Sequence, residues 1–240
     1  MTSFETIFSP ISAGRVLDVA TGRGGFIHAL IESLNSYDEI IGIDTVAGTE
    51  AVFAESFANK PISYRQMDAS TLEFDDVSFD TVCIANSLHH MLDPIPVLDE
   101  MQRVLKPGGR FIINEMFRDG LTDAQETHAL LHHWWAAVDS AEGIVHNETY
   151  TKQELVALAK STEIGAWDFH EVAYLEEGPK DEATIQQLDG IIDGYIEKAE
   201  NLSNGGTQLI ERGQALRKRV HEIGFHGATA LAAVGVTSYR

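Results

Sequence analysis

The sequence predicts an α/β fold in which helices cover both faces of a mostly parallel sheet. Three observations predict it. Short apolar runs alternate with amphipathic helical patterns along the first half of the chain. A glycine-rich turn joins the first apolar run to the first helical pattern, and polar residues follow several runs at their carboxyl ends, where open α/β sheets bind their ligands. The fold class therefore already indicates the edge of the sheet at which to look for a site.

Five apolar runs predict five strands in the first half, at residues 16–20, 39–44, 62–67, 79–85 and 110–115. Helical patterns lie between them at residues 25–34, 51–57 and 95–105. The last of these helices should end at Pro107, because proline cannot continue a helix and the following Gly108 and Gly109 allow the chain to reverse. Strands that alternate with helices in this way indicate βαβ units.

The second half adds two more strand-like runs, at residues 167–175 and 229–236. Capping boxes, Thr122 with Gln125 and Thr151 with Glu154, begin predicted helices that run to about residues 139 and 161. Two further helical repeats, at 185–199 and 209–223, are separated by Asn204-Gly205-Gly206 and so form a hairpin. Each hairpin helix has one apolar face, which we expect to pack either as a cap near the site or as a homodimer interface.

Composition excludes several classes of partner. The chain has 37 acidic and 17 basic residues, a net charge of −20, which would repel nucleic acid and anionic membrane surfaces. Cys83 is the single cysteine, so there is no disulfide framework. With no signal peptide and no long apolar span, we expect a cytoplasmic protein that binds neither nucleic acid nor membrane.

The first turn is the strongest local signal for a ligand. Gly22 and Gly24 allow the backbone to turn sharply and to approach a ligand, and the N-terminal N–H groups of the next helix point to the same place. This arrangement is typical of a nucleotide-type pocket. The alternative is a purely structural strand-to-helix connection, which also uses glycine.

Acidic residues follow the second and third predicted strands. The two carboxylate oxygens of Asp44 match the two adjacent hydroxyls of a ribose, although the residue could instead cap a helix. Asp68 could accept a hydrogen bond from an exocyclic amine such as that of adenine, or it could cap the turn before Leu72. Gly22, Asp44, Asp68 and Asn86 all lie at the carboxyl edge of the sheet, which favours one common site.

Five segments of the chain resemble class I S-adenosylmethionine-dependent methyltransferases that act on small molecules, in particular the methyltransferase type 11 and ubiquinone/menaquinone biosynthesis group. The segments are VLDVATGRGG, the acidic end of IIGID, MDAS, FDTVCIANSLHHMLDP and EMQRVLKPGGRFIINE, which lie within residues 15–116. The resemblance implies a Rossmann-like sheet of seven strands whose last strand is antiparallel. We expect a single domain over residues 1–240, with helical insertions at about 117–150 and 177–227 that form a cap or a dimer element.

The resemblance implies S-adenosylmethionine as the cofactor and assigns its contacts. The turn from Ala20 to Gly24 holds the methionine part, Asp18 orients it through water, and Asp44 binds the ribose. The full set of implied cofactor-binding residues is Asp18, Ala20, Thr21, Gly22, Gly24, Asp44, Thr45, Asp68, Ala69, Asn86 and Ser87. Within it Asp68 and Ala69 frame the adenine, and Asn86 contacts the methionine end through its backbone. The chain departs from the family at Ala20, where many members have glycine.

Methyl transfer from a sulfonium to an oxygen or carbon acceptor requires alignment and removal of a proton. Histidine suits the second task, so the candidate catalytic residues are His89 and His90 after the fourth strand and His128 on the helix that begins at Thr122. Glu115, at the end of the fifth strand, is a further candidate base. The alternative is that these histidines only pack or face solvent.

His128 and His132 have the i, i+4 spacing of metal ligands, but Ala129 stands where a zinc protease has glutamate. We therefore expect no metal. The expected function is methyl transfer from S-adenosylmethionine to a small-molecule acceptor. The alternatives are a protein that binds S-adenosylmethionine without transferase activity and an NAD-dependent oxidoreductase, although Ile27 stands where the third glycine of a dinucleotide turn would fall.

Overall fold

The computed structural model describes residues 2–173 and 178–238. Seven strands form one sheet: β1 Arg15–Val19, β2 Glu39–Asp44, β3 Ile62–Gln66, β4 Phe79–Ala85, β5 Leu105–Met116, β6 Ala166–Val172 and β7 Ala230–Val236. The helices are α1 Phe4–Phe8, α2 Gly25–Ser33, α3 Glu50–Ser56, α4 Ile95–Val104, α5 Asp123–Ala141, α6 Lys152–Ser161, α7 Glu182–Glu200 and α8 Gly206–Ile223. A single 3-10 turn, Leu88–His90, follows β4. Leu175 of the predicted sixth strand and residue 177, where the second insertion was predicted to begin, lie outside the described residues.

The strands are arranged in the order β3-β2-β1-β4-β5-β7-β6. Strands β1 to β5 are parallel, whereas β7 lies between β5 and β6 and runs antiparallel to both. The predicted seven-stranded, mostly parallel sheet with an antiparallel last strand is therefore confirmed. The chain order reverses between β1 and β4, and at such a switch point the loops that follow the two strands diverge and leave a crevice for a ligand.

The core is divided by the sheet into two layers, because side chains of a strand alternate between its faces. Leu17, Ile41 and Val82 pack on one face with residues of α4 and α6. Their neighbours Val16, Ile40 and Cys83 pack on the other face with residues of α1, α2 and α3. Both faces of the central strands are thus covered, which explains why these strands are mostly apolar.

The sequence predicted that the chain simply reverses after α4, but the structure differs. Strand β5 already begins at Leu105, which pairs with Phe79, and the next pairing joins Thr81 to Arg110. Residues 106–109 are therefore a bulge within the strand. A Cβ atom at Gly109 would lie 2.6 Å from the Leu105 side chain and 2.8 Å from the Lys106 carbonyl oxygen, so only glycine fits there.

The hairpin of α7 and α8 packs against α5 within the chain. Leu188, Ile192, Leu216 and Val220 of the hairpin form one apolar cluster with Leu131, Trp134 and Val138 of α5. The indole Nε1 of Trp134 also donates a hydrogen bond to the Leu209 carbonyl oxygen at 2.9 Å. The apolar faces of both hairpin helices are thus covered by α5, so this hairpin supports the helix that, as shown below, lines the site.

A search of the described residues for a membrane span found none: no helix there combines the length and the hydropathy that crossing a bilayer requires.

Candidate functional site

The site is built on the loops that follow β1, β2, β3 and β4. After β1 the chain turns through three residues with left-handed backbone, Ala20 (φ 53°), Gly22 (φ 52°) and Gly24 (φ 82°), before α2 begins. A Cβ atom at Gly24 would lie 2.5 Å from the ring of Phe57, the residue that follows α3. The turn therefore packs tightly against the C-terminal end of α3. Ala20, where the family often has glycine, adopts a conformation that costs an alanine about 1–2 kcal/mol.

Asp18 fixes this turn from beneath. Its carboxylate accepts hydrogen bonds from the Thr21 hydroxyl and, at 3.3 Å, from the Cys83 thiol, and the side chain is buried. Burial raises the pKa of Asp18 to about 6, although the bonds from Thr21 and Cys83 act in the opposite direction. Asp18 thus holds Thr21 in place and contributes a carboxylate to the base of the crevice.

Asp44 fixes the same turn from β2. Its Oδ2 accepts a hydrogen bond from the Gly22 N–H at 2.9 Å, and its Oδ1 accepts one from the Val46 N–H at 3.1 Å. The carboxylate therefore already couples the glycine turn to the loop after β2. The glycine turn and Asp44, which the sequence predicted to bind two different parts of the cofactor, are therefore hydrogen-bonded to each other.

Asp68 has a local structural role as well as a place at the site. Its Oδ1 accepts hydrogen bonds from the Ser70 N–H and hydroxyl, both at 2.8 Å. These bonds lower the pKa of Asp68. The turn-capping alternative from the sequence is thus real, yet Asp68 also lines a cavity with Ala69, as described next.

Two cavities meet at the carboxyl edge of the sheet. One has a volume of about 550 Å³, and we call it the outer cavity; its lining includes Gly22, Asp44, Thr45, Asp68, Ala69 and His90. The other, of about 640 Å³, is called the inner cavity, and its lining includes Asp18, Thr21, Met116, His128, His132 and Trp135. Ala20, Asn86 and Ser87 line both. Of the predicted cofactor residues only Gly24 is absent from both linings.

Glu115 supports the 3-10 turn from β5. This carboxylate is fully buried, and its Oε2 accepts hydrogen bonds from the Ser87 N–H at 3.0 Å and the Leu88 N–H at 2.9 Å. Its Oε1 lies 2.9 Å from Nδ1 of His89, which is itself buried. Neither Glu115 nor His89 appears among the residues that line the two cavities. The two residues therefore form a support behind the cavity wall.

His128 lies in the wall of the inner cavity. Its Nδ1 accepts a hydrogen bond from the Ala228 N–H at 2.8 Å. Burial, assisted by nearby His89, lowers the pKa of His128 to about 4, so the ring is neutral at pH 7. With Nδ1 as the acceptor, the proton of the neutral ring is on Nε2, and this nitrogen is a hydrogen-bond donor.

The connection between α5 and α6, residues 142–151, contributes more than the sequence indicated. Although this segment is rich in polar residues, Ile144 and Val145 line the outer cavity and His146 is buried. Nδ1 of His146 lies 2.8 Å from the carboxylate of Asp139 on α5. A lone histidine in a polar segment carries no periodic or motif signal, so sequence reasoning missed both His146 and its partner.

The switch point of the sheet, the glycine turn and the acidic residues at successive strand ends together have the features of a nucleotide-binding site. A family model described as a methyltransferase domain matches residues 17–113. Residues 17–113 therefore match a methyltransferase domain, as the sequence resemblance predicted.

Several of the curated relatives are quinone methyltransferases by name. A demethylmenaquinone methyltransferase of Clavibacter sepedonicus is 37% identical over 108 residues, which cover 45% of this chain and 43% of that protein. A ubiquinone/menaquinone biosynthesis C-methyltransferase of Geotalea daltonii is 38% identical over 107 residues, 42% of this chain and 45% of that protein. The matches thus span less than half the length of these relatives.

Among solved structures, a Haloferax volcanii protein in complex with the Trm112 methyltransferase activator superposes with a TM-score of 0.60 at 19% identity. The superposition covers 95% of this chain and 85% of that chain. At this identity the likeness shows the fold alone, and it extends the shared fold beyond residues 17–113.

Proposed function

We propose that this chain transfers a methyl group from S-adenosylmethionine to a small-molecule acceptor. The observation that carries the proposal is the pair of cavities that share Ala20, Asn86 and Ser87 in their linings, with Asp44 and Asp68 in the lining of one of them. A cofactor that has a nucleoside at one end and an amino acid at the other fits such a divided crevice. The quinone methyltransferase names of the relatives support the same reaction.

In this proposal the adenosine part occupies the outer cavity. Asp44 accepts the ribose hydroxyls, and Asp68 with Ala69 lies against the adenine. The methionine part enters the inner cavity over the turn from Ala20 to Gly24, above Asp18. Asn86 and Ser87 then border the point at which the two parts join, which is where the transferable methyl group belongs.

The acceptor occupies the rest of the inner cavity, beneath α5. Phe26, Met116 and Trp135 give this space an apolar and aromatic lining, which suits a planar or hydrophobic molecule. His128 is the catalytic candidate that faces it. Because its Nε2 is a donor in the neutral ring, His128 would bind and orient an acceptor oxygen, whereas His89 and Glu115 hold the turn that carries Ser87.

S-adenosylmethionine supplies an electrophilic methyl group whose bonding electrons remain on sulfur when it transfers. The protein's tasks are therefore to align the acceptor atom with that methyl group and to exclude water. A partner base is required only where the acceptor atom carries a proton. His90, which the sequence also named as a candidate base, lines the outer cavity and so lies on the adenosine side in this proposal, away from the acceptor.

Calorimetric titration with S-adenosylhomocysteine tests cofactor binding. We expect Asp44→Ala to weaken binding about 10- to 100-fold, because it removes a charged acceptor from the ribose and releases the Gly22 N–H. Asp99→Ala on the exposed side of α4 is the matched control and should bind as the wild type does. No binding by the wild type, or unchanged binding by Asp44→Ala, would contradict the proposal.

Transfer itself is tested with methyl-tritiated S-adenosylmethionine and a 1,4-naphthoquinol that lacks the ring methyl group, the acceptor type suggested by the relatives' names. The reduced form is used because its ring carbon is nucleophilic. Label in the extracted quinol is the expected result. Cofactor binding without label in this or other phenolic acceptors would instead support the alternative of a binding protein without transferase activity.

A further inference from the structure

Four imidazoles meet at one point in the wall between the two cavities. His89 and His90 come from the 3-10 turn after β4, His132 from α5, and His146 from the connection between α5 and α6. One ring nitrogen from each lies within 4.8 Å of those of the other three. Three segments that are distant in sequence thus contribute to one cluster, which we call the four-histidine cluster.

The cluster contains buried nitrogen atoms with nothing to bind. Among the described residues, Nε2 of His89, Nδ1 of His132 and Nε2 of His146 are buried and have no hydrogen-bond partner. A buried polar atom without a partner costs about 1–3 kcal/mol. Three such atoms at one point require an explanation, since packing alone would be achieved better by apolar side chains.

In two of the rings, those of His89 and His146, a carboxylate binds the other ring nitrogen and so leaves Nε2 free to donate its electron pair. Glu115 accepts from Nδ1 of His89 at 2.9 Å, and Asp139 accepts from Nδ1 of His146 at 2.8 Å. With the proton held on Nδ1, the lone pair is on Nε2, the atom that faces the cluster. This carboxylate–histidine arrangement is the usual support behind a metal ligand, because it fixes the tautomer and the orientation of the ring.

The segments that carry the rings are also held together without a ligand. The Asn147 N–H donates to the His89 carbonyl oxygen at 2.8 Å, and the Asn147 side chain donates to the Met91 carbonyl oxygen at 2.9 Å. Nε2 of His133 and the Thr149 hydroxyl lie 2.9 Å apart. The cluster is therefore preorganised by contacts that do not use its own free nitrogens.

We propose that His89, His90, His132 and His146 bind one divalent transition-metal ion. Neutral imidazoles suit zinc, iron, nickel and copper, and four of them around one ion give a tetrahedral set with metal–nitrogen distances of about 2.0–2.1 Å. Adjacent ligand nitrogens would then be about 3.3 Å apart, so the ring nitrogens would have to move closer by up to about 1.5 Å when the ion binds. The ion would link the 3-10 turn, α5 and the connection after α5.

The protonation states are consistent with this proposal. Burial lowers the pKa of His90, His132 and His146, and neighbouring imidazoles add to the effect for all three. Burial alone would raise the pKa of Asp139, but hydrogen bonds from His146 and Lys198 outweigh it, so Asp139 stays ionised behind His146. Because the rings of His90, His132 and His146 are neutral, they need not lose a proton before they bind a cation.

The proposed site differs from the one considered from the sequence. There, the spacing of His128 and His132 was set aside because Ala129 stands where a zinc protease has glutamate, and no metal was expected. In the structure His128 is committed to the Ala228 N–H and is not a member of the cluster. The other ligands come from segments whose proximity only the fold creates.

Cobalt titration of the tag-free, chelator-treated protein tests the proposal. We expect visible d–d absorption that saturates at one Co²⁺ per chain and is abolished by one equivalent of Zn²⁺. Zn²⁺ should also raise the Tm of the wild type, because an ion that binds only the folded state stabilises it. Absence of the absorption band together with an unchanged Tm would overturn the proposal.

Variants locate the ion. His132→Ala and His146→Ala should each weaken Co²⁺ binding more than tenfold, whereas His28→Gln, an exposed histidine on α2, should bind as the wild type does. Asp139→Asn keeps all four rings and should weaken binding about 10- to 100-fold through His146. Circular dichroism confirms folding. Wild-type affinity in folded His132→Ala, or in Asp139→Asn, would overturn the assignment of these ligands.

Discussion

Asp18 is the residue at which structure and chemistry are most closely coupled. It lies in the middle of the sheet, paired in register with Gly42 on one side and Cys83 on the other, and it is 1% exposed. Burial of a carboxylate disfavours its ionised form. The protein keeps it there because its oxygens position Thr21, so the base of the cofactor crevice contains a group whose ionisation opposes folding.

This cost predicts a pH dependence of stability. The folded-state pKa of Asp18 is about 6, above the ordinary value of 3.8, so the folded state binds the proton more tightly than the unfolded state does. The Asp18 contribution is therefore most favourable at low pH and is lost as pH rises from about 4 to about 6. Between pH 4.5 and 7 it should fall by about 2 kcal/mol.

Urea unfolding of the ligand-free protein at the two pH values measures this effect. Asp18→Asn cannot ionise, so its free energy of unfolding relative to the wild type should improve by about 2 kcal/mol from pH 4.5 to pH 7. Asp99→Asn, on an exposed helix face, is the control. An equal difference between Asp18→Asn and the wild type at both pH values would show that Asp18 titrates normally.

At the scale of elements, α5 connects the site to the hairpin behind it. One face of α5 presents His128, His132 and Trp135 to the inner cavity, and another packs Leu131, Trp134 and Val138 into the hairpin. A Cβ atom at Gly213 on α8 would lie 2.3 Å from the ring of Trp134. The two helices therefore approach as closely as they do because residue 213 has no side chain.

Two glycine-to-alanine changes in the same hairpin should have opposite effects. Gly213→Ala should destabilise the protein by about 1–3 kcal/mol, because the methyl group overlaps Trp134. Gly194→Ala on α7 meets no atom within 4 Å and should stabilise by about 0.5–1 kcal/mol through helix propensity. Urea unfolding of both variants measures the difference. Equal effects would mean that the hairpin does not pack on Trp134 in solution.

The elements followed from the sequence because their signals are local. The periodic apolar runs predicted every strand to within a few residues, and both capping boxes, at Thr122 and Thr151, begin helices as expected. The exception is β5, which starts five residues early because a bulge, invisible to periodicity, keeps residues 105–109 in the sheet.

The candidate site was predictable only in part, because sequence signals are local and part of the site depends on contacts between distant segments. Asp44 and Gly22 were brought together by reasoning from strand ends, since parallel strands align those ends. The proximity of His146 and Asp139 to the site could not be predicted in this way, because it depends on how the connection after α5 folds back on the 3-10 turn. Glu115 was recognised as a carboxylate near the site, but its use as an acceptor for Ser87 and Leu88 depends on side-chain direction.

At the scale of the whole molecule, the charge is strongly unbalanced. With 37 acidic and 17 basic residues, the folded chain has a net charge of −20 at pH 7. The ion pairs present, such as Lys106 with Asp80 and Arg219 with Glu126, use basic residues that are already outnumbered. Compact folding therefore brings unpaired carboxylates closer together, which opposes stability at low salt.

Added salt should consequently stabilise the protein. Raising NaCl from about 0.1 M to about 1 M shortens the Debye length from about 10 Å to about 3 Å and screens the repulsion. We expect the free energy of unfolding in urea to increase, with each 1 kcal/mol raising Tm by about 2–4 °C. Replacing exposed Glu55 and Glu73 by glutamine should reduce the salt effect. If salt raises the free energy of unfolding of this double variant as much as that of the wild type, the stabilisation comes from ion-specific effects and not from net charge.

Chemical labelling of Cys83 can report how often the centre of the sheet opens. It is the single cysteine, it is 0% exposed in the central strand β4, and burial raises the pKa of its thiol. A thiol reagent can reach it only when the centre of the sheet opens, so the labelling rate under native conditions measures that opening. One chemical readout thus follows the stability of the sheet edge that carries the turn, the crevice and the histidines, without any engineered probe.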